Sequence, residues 1–367
     1  MTQPKACNPD NRRPVLVYRD LIGVPSEIAF SRRQYVGFET LRPIWTGRRI
    51  LPGATDLDAP ALRISGVRAL LFRHFGIAPP LDLSGFIRVV HAQFARGGAL
   101  ALPLAEAIGA RLVVTLHGGD VGKDKNWRHT MLARRWPAVI ARTYRFVCVS
   151  HAVADTAIGR GVPPARVTVV PIGVEIPPTR SMGPRSDGFL FAGRFVEKKG
   201  INVLADVMHR LRGLGDQTPL TCAGDGPLRP VLEALARDVS GVRLTGWLPQ
   251  PELSARMERS LALIVPSIVA TGGDAEGLPS VVPEAMARGC VVIGTDQGGI
   301  AEAVSDGITG LLARPGDPIA LANAMHRLVS EPGLASALGD AAFQHAREQL
   351  NAVHQSKLLE RILLDAA

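Results

Sequence analysis

A chain of 367 residues, 46% hydrophobic and 20% charged, carries apolar material for two domains of ordinary size and too little charge for a disordered one. Its net charge of +9 is uneven: residues 1–170 hold 24 Lys and Arg against 11 Asp and Glu, the remainder 18 against 22, so the basic first half predicts an anionic partner. Cys7, Cys148, Cys222 and Cys290 lie far apart without a C-x-x-C pair, which speaks against a zinc or disulfide framework and for buried thiols in a reducing, cytoplasmic setting.

The polar opening MTQPKACNPDNRRP predicts no secretory leader. Short β-branched runs follow at 13–19, 85–94, 110–118, 145–151 and 166–174, with helical stretches at 99–109 and 127–143 between them. Strand–helix alternation of this kind predicts a parallel sheet wrapped by helices. The most apolar stretch, GGALALPLAEAIGARLVVTL, is broken by Pro103, Glu106 and Arg111 and predicts no membrane span. Residues 176–188, rich in Pro, Gly and Ser, read as a linker. The alternation then restarts with strands in GFLFAGR, PLTCAGDG, VRLTGW, LALIVPS and CVVIGT, and with helices at about 200–213, 228–238, from 283, at 299–304, 317–330 and 335–365. The expected architecture is therefore α/β, with an N-terminal domain at 1–175, the linker at 176–188, a second domain at 189–345, and a terminal helix at 346–367 packing back on the first domain. Two such units would face each other across a cleft, with ligands beyond the carboxyl ends of the strands.

The motifs sit at those strand ends. FAGRFVEKKG places Gly193 and Arg194 just past a strand and Lys199 near a helix start, where a guanidinium fork and an ammonium can hold a diphosphate from two sides. Gly224, Asp225 and Gly226 close the next strand, and glycines there let backbone approach a ligand. In DAEGLPSVVPEAMARG, Glu276 and Glu284 are separated by seven residues. Gly277, Leu278, Pro279 and Pro283 make Glu276 a loop residue and put Glu284 in a first helical turn, where a carboxylate meets the positive end of the helix dipole. One acid could grip a sugar and the other a ribose. Asp56-Leu57-Asp58 matches a D-x-D metal signature but lies in a proline-flanked loop without strand pattern, so no metal is expected. HGGDVG (117–122) lacks the spacing of a dinucleotide fingerprint.

These segments in this order, together with VPSIVATGGDAEGLPSVVPEAMARGCVVIGTDQGGIAEAVSDGITGLLARPGD, resemble the family-4 glycosyltransferases, retaining enzymes of the GT-B fold with two Rossmann-like domains and an E-x7-E motif. VVHAQFARGGALALPLAEAIGARLVVTLHGGD and VCVSHAVADTAIGRGVPPARVTVVPIGVE resemble the family's first half, and in particular enzymes of bacterial exopolysaccharide and colanic-acid assembly. One departure lies after the first strand: YRDLIGVPSEIAF has no Gly-Gly turn, and Gly23 stands where it would be, followed by Ser26 and Glu27.

The resemblance implies roles. Arg194 and Lys199 would bind the diphosphate and stabilise the leaving group, with Gly193, Gly224 and Asp225 on the donor side. Glu276 would hold the donor sugar's hydroxyls as a binding residue and not as a covalent nucleophile, the amides of Gly277 and Leu278 would meet sugar or phosphate, and Glu284 would bind the ribose. His117 would face the sugar from the first domain, with Gly23, Ser26, Glu27 and Asp120 on the acceptor side. The implied donor is a UDP- or GDP-sugar, with no cofactor required, and the acceptor a saccharide linked to lipid diphosphate. Arg128, Arg134, Arg135, Arg142 and Arg145, interleaved with Trp127, Trp136 and Tyr144, form a basic amphipathic stretch that predicts peripheral binding to an anionic inner membrane face. A nucleotide-sugar epimerase or hydrolase of the same fold is the alternative enzyme. A non-catalytic basic module for nucleic acid is the alternative of another class, although no nucleic-acid motif is present.

Overall fold

Two parallel sheets, each covered on both faces, carry the chain. The computed structural model describes residues 11–22, 30–51, 61–64, 66, 77, 86–123, 130–181 and 183–367. Cys7, Gly23, Ser26, Glu27, Asp56, Asp58, Trp127 and Arg128 lie outside the described residues.

The first unit contains β1 (Arg13–Tyr18), β2 (Leu21–Ile22), β3 (Leu41–Gly47), β4 (Arg49–Ile50), β5 (Ala61–Arg63), β6 (Val89–Gln93), β7 (Arg111–Leu116), β8 (Thr143–Cys148) and β9 (Val167–Val169). Its main sheet runs in the order β5-β3-β1-β6-β7-β8-β9. The strand period of two divides the apolar residues between faces. Leu16, Tyr18, Val90 and Val114 face one core with the helix Ala95–Ala107, while Val15, Val17, Val89 and Val113 face another with Trp45 and Phe38.

The second unit is built from β10 (Phe189–Ala192), β11 (Leu220–Ala223), β12 (Val242–Gly246), β13 (Ala262–Val265), β14 (Val291–Thr295) and β15 (Gly310–Ala313), in the order β12-β11-β10-β13-β14-β15. Phe189 and Phe191 turn to one core and Leu190 and Ala192 to the other.

Two sequence expectations are corrected here. The strand β3 was not anticipated, because Arg42 and Pro43 interrupt its apolar pattern. It nevertheless pairs with β1 over Arg13–Tyr18 and with β5 on its other side, with Pro43 opposite Val15. Residues 335–365 are two helices, Leu334–Gln349 and Ala352–Asp365. Asn351 separates them, its side chain accepting hydrogen bonds from the Val353 and His354 amides as a helix cap. At this break the chain returns beside its first crossing: Val174 N donates to Leu350 O at 2.7 Å and Ala352 N to Val174 O at 2.9 Å.

The last helix belongs to the first sheet's core. Leu359 and Leu363 pack with Val15, Val17 and Trp45, and burying each of two leucines contributes about 2 kcal/mol. Glu360 anchors it, accepting from the amides of Glu39 (3.0 Å), Thr40 (2.7 Å) and Leu41 (2.6 Å). Glu360→Ala is expected to lower folding stability by roughly 3 kcal/mol, since three successive amides, the buried one of Leu41 among them, would lose their shared acceptor. Urea unfolding measures this, and an unchanged midpoint would show that the leucines alone dock the helix.

Several described residues of the basic stretch have partners within the protein. In the helix Met131–Arg142, Trp136 is buried and its indole donates to Arg160 O at 3.0 Å. Arg135 donates to Ala99 O, Arg142 pairs with Glu106 at 2.6 Å, and Arg145 donates to Ala165 O at 2.8 Å. Tyr144 lies under the guanidinium groups of Arg111 and Arg145. Trp136 and Tyr144, two of the aromatic residues expected to face a membrane, are thus turned to protein partners, the one through its indole N–H and the other through its ring face. No helix among the described residues is long and apolar enough to cross a membrane.

Candidate active site

The second sheet reverses its direction of growth between β10 and β13, which are neighbours, while β11 and β12 extend one side and β14 and β15 the other. A crevice opens beyond the carboxyl ends of strands at such a switch. Gly193 and Arg194 leave β10 into it, and the chain then winds through the turn Glu197–Lys199. Gly200 ends that turn at φ +67°, and a Cβ there would lie 1.8 Å from Pro266 O just past β13. Only glycine lets the turn settle onto that strand end. The consequence is that Lys198 and Lys199 both point inward. Their ammonium groups stand 3.2 and 3.3 Å from the same oxygen of Glu276.

Burial pushes the Glu276 carboxyl up, but Lys199 and Lys198 together outweigh it and hold it below the usual carboxylate range. Lys198 also pairs with Asp274 at 3.3 Å, and Asp274 takes Lys123 of the first unit at 2.9 Å. Arg194 is exposed on the cleft wall. The amides of Gly277 and Leu278 meet no acceptor among the described residues.

The cleft has a volume of about 1170 Å³. Its walls carry the charged Arg194, Lys198, Lys199 and Glu276 and the apolar Trp247, Leu248, Leu253 and Val281. Glu284, in the helix Val281–Met286, is buried and lines the same cleft. Gln250 Nε2 donates to one of its oxygens at 3.1 Å and Arg33 of the first unit to the other at 2.6 Å. Neither partner is among the site residues expected from the sequence. The position of Gln250 beside Trp247 in GWLPQPE was the available signal, whereas nothing local announces a contact spanning 251 residues.

His117 follows β7, with Phe94 at 4.3 Å and Phe30 at 5.5 Å between ring centroids. Phe30 itself lines the cleft. Burial, reinforced by Arg19 and His91, lowers the His117 imidazole to about 3, so it is neutral at physiological pH. Its backbone touches the second unit: a Cβ at Gly277 would lie 2.4 Å from His117 O, and one at Gly118 would lie 2.7 Å from Gly277 N. The glycines of HGGDVG therefore serve close approach of the two units, a role their spacing did not disclose.

Three expected residues make contacts of another kind. Asp120 accepts from Ala95 N at 2.8 Å and His117 N at 3.0 Å, so its carboxylate ties the start of one helix to the His117 loop. Asp225 bonds Gly226 N at 2.7 Å and pairs with Arg229 at 3.2 Å. Gly224 abuts Gly193, a Cβ there falling 1.9 Å from Gly193 O, and neither Gly224 nor Asp225 lines the cleft. Both residues shape the strand-end turn instead.

Two family profiles match the chain, Glycosyltransferase Family 4 over residues 52–176 and Glycosyl transferases group 1 over residues 186–331. The chain is 30% identical over 255 residues to the amylovoran biosynthesis glycosyltransferase AmsK of Erwinia amylovora, covering 66% of this chain and 61% of that protein. It is 30% identical over 298 residues to D-inositol 3-phosphate glycosyltransferase 1 of Catenulispora acidiphila, covering 72% and 69%. The matched part spans less than two thirds of AmsK and of the putative colanic acid biosynthesis glycosyltransferase WcaL of Salmonella typhimurium, at 61% and 59%. In fold it is similar to Anabaena HepE in complex with UDP-glucose, with a TM-score of 0.78 at 17% identity, over 96% of this chain and 99% of that one. With two profiles that between them reach both sheets, and a relative matched over most of both lengths, the chain belongs to the family-4 glycosyltransferases and has their two-domain GT-B fold.

Proposed function

We propose that this protein is a retaining hexosyltransferase that moves a sugar from UDP or GDP to a saccharide carried on a lipid diphosphate, in the assembly of a bacterial exopolysaccharide or surface glycan. The observation that carries the reading is the convergence of Lys198 and Lys199 on Glu276 beyond β10, in a cleft that Arg194 and the apolar Trp247, Leu248, Leu253 and Val281 also line. A nucleotide diphosphate matches that mixed lining, with its base at Trp247 and Leu248 and its phosphates at the cations. Relatives named for amylovoran, colanic acid and teichuronic acid biosynthesis support the product class. HepE structures with UDP and UDP-glucose support the donor class.

In this reading Arg194 and Lys199 neutralise the charge that develops on the diphosphate as the anomeric bond breaks, which lowers the barrier most in a cleft shielded from water. The acceptor hydroxyl attacks the anomeric carbon on the face the diphosphate leaves, and its proton passes to a phosphate oxygen. Glu276 is committed to two ammonium groups, which suits a carboxylate that accepts hydroxyl hydrogen bonds and not one that attacks carbon. Residues exposed on the basic unit, Arg111, Arg134 and Arg142 among them, would meet an anionic membrane through charge alone.

The test is thermal stabilisation by UDP, GDP and their sugar conjugates. One base is expected to raise Tm selectively, the rise following ligand concentration over its Kd, and Glu284→Ala is expected to remove most of it. No rise with any nucleotide would overturn the donor site.

A further inference from the structure

Beneath His117 lies a chain of polar side chains that the chemistry above does not use. Gln93, at the end of β6, accepts at its Oε1 from His117 Nε2, 2.8 Å away, and donates from its Nε2 to the Tyr35 hydroxyl at 2.8 Å. Tyr35 OH lies 2.8 Å from His91 Nδ1, and His91 Nε2 lies 2.7 Å from Thr115 Oγ1. Tyr35, His91, Gln93 and Thr115 are all buried, so each must find its partners within the protein.

Directionality follows from the donor inventory. The Gln93 amide donates to Tyr35, so the Tyr35 proton goes to His91 Nδ1. His91 is then protonated at Nε2 and donates to Thr115. At the other end Gln93 presents its carbonyl oxygen, which is an acceptor only, so the proton on neutral His117 must sit at Nε2. The remaining ring nitrogen, Nδ1, then carries the lone pair. Burial holds His91 neutral, with its imidazole lowered to about 3, and burial also keeps the Tyr35 hydroxyl protonated. The chain thus keeps one polarity throughout the physiological range.

We infer that Gln93 and Tyr35 are positioning residues that fix His117 as the Nε2–H tautomer, so that His117 meets the donor sugar as a hydrogen-bond acceptor at Nδ1. This rests on the reading that His117 faces the sugar. The consequence is specificity: with Glu276 and His117 Nδ1 both acceptors, the site favours a donor whose sugar presents hydroxyl protons on two sides. A donor in which fluorine replaces one of those hydroxyls cannot satisfy His117, because fluorine has no proton to give.

Histidine-selective ¹⁵N labelling reads the tautomer directly in the intact protein, with the His117 signals assigned by their loss in His117→Asn. The expected wild-type pattern has the proton on Nε2. A proton on Nδ1 would overturn the inference, since the chain would then run in the opposite direction. Gln93→Leu is expected to release the tautomer and lower kcat about tenfold, with the Tm rise from UDP or GDP alone unchanged. Gln93→Glu keeps an acceptor and is expected to restore the Nε2–H form and most of the rate. Tyr35→Phe, a milder change, is expected to give a mixed tautomer pattern. If Gln93→Leu shifts the tautomer while transfer proceeds at the wild-type rate, the polar chain stands and the sugar-facing role of His117 falls. If Gln93→Leu shifts neither, the positioning role itself is overturned.

Discussion

Lys199→Ala is expected to lower kcat for sugar transfer by roughly 10²–10³-fold, the range found when one group stabilising a developing negative charge is removed. Two effects combine. The diphosphate loses a cation that the turn Glu197–Lys199 holds in place, packed by Gly200 against the end of β13. Glu276 also loses one of the two lysines that keep it ionised against burial, so its carboxyl rises. As that group titrates higher, the acid limb of the rate profile moves upward in pH, and the deficit deepens as pH falls. Lys198→Ala is expected to cost less, because Lys198 divides its charge between Glu276 and Asp274. Lys199→Arg keeps the charge and is expected to recover part of the rate. Steady-state kinetics of the three variants across pH would decide it. A loss below about threefold in Lys199→Ala would mean that Arg194 alone carries the leaving group.

Gly277→Ala is expected to depress turnover by about 10²-fold while leaving nucleotide-induced stabilisation nearly intact. The added methyl would lie 2.4 Å from His117 O and 3.2 Å from a Val149 methyl, both in the first unit. Neither can yield cheaply: His117 is held by Gln93 and Asp120, and Val149 is buried in that unit's core. The two units must therefore part by a fraction of an ångström or more, and misplacement of that order in a bimolecular site costs about 10²-fold in rate. The apolar lining residues Trp247, Leu248, Leu253 and Val281 all belong to the second unit, so a small separation of the units leaves their mutual arrangement in place. Kinetics paired with small-angle scattering would measure both consequences. Normal turnover with an unchanged radius of gyration would show that the contact between the glycines and His117 is slack.

What the sequence determined by itself was local. Strand ends followed by glycine and a cation, the EKKG turn, and a glutamate eight residues before another at a helix start all express rules that act within a few residues. They located Arg194, Lys199, Glu276 and Glu284 at one crevice, and the alternation of strand and helix specified two parallel sheets. The tertiary structure decided which of those residues share partners. Arg33 reaches Glu284 across 251 residues, Lys123 reaches Asp274 from the other unit, and Gln93 reaches His117 across β6 and β7. It also consumed groups that looked available: Asp120 and Asp225 satisfy backbone amides, and Arg135 and Arg142 of the arginine-rich stretch are bound to the Ala99 carbonyl and to Glu106. The strand β3 formed through Pro43 because β1 and β5 supply its pairing from both sides, and the last helix docked on the first sheet because Glu360 meets three amides there. Short-range rules propose where a polar group stands along the chain. Whether it faces a ligand depends on which distant donors and acceptors folding brings within about 3 Å of it, since a buried polar group takes whatever partner arrives.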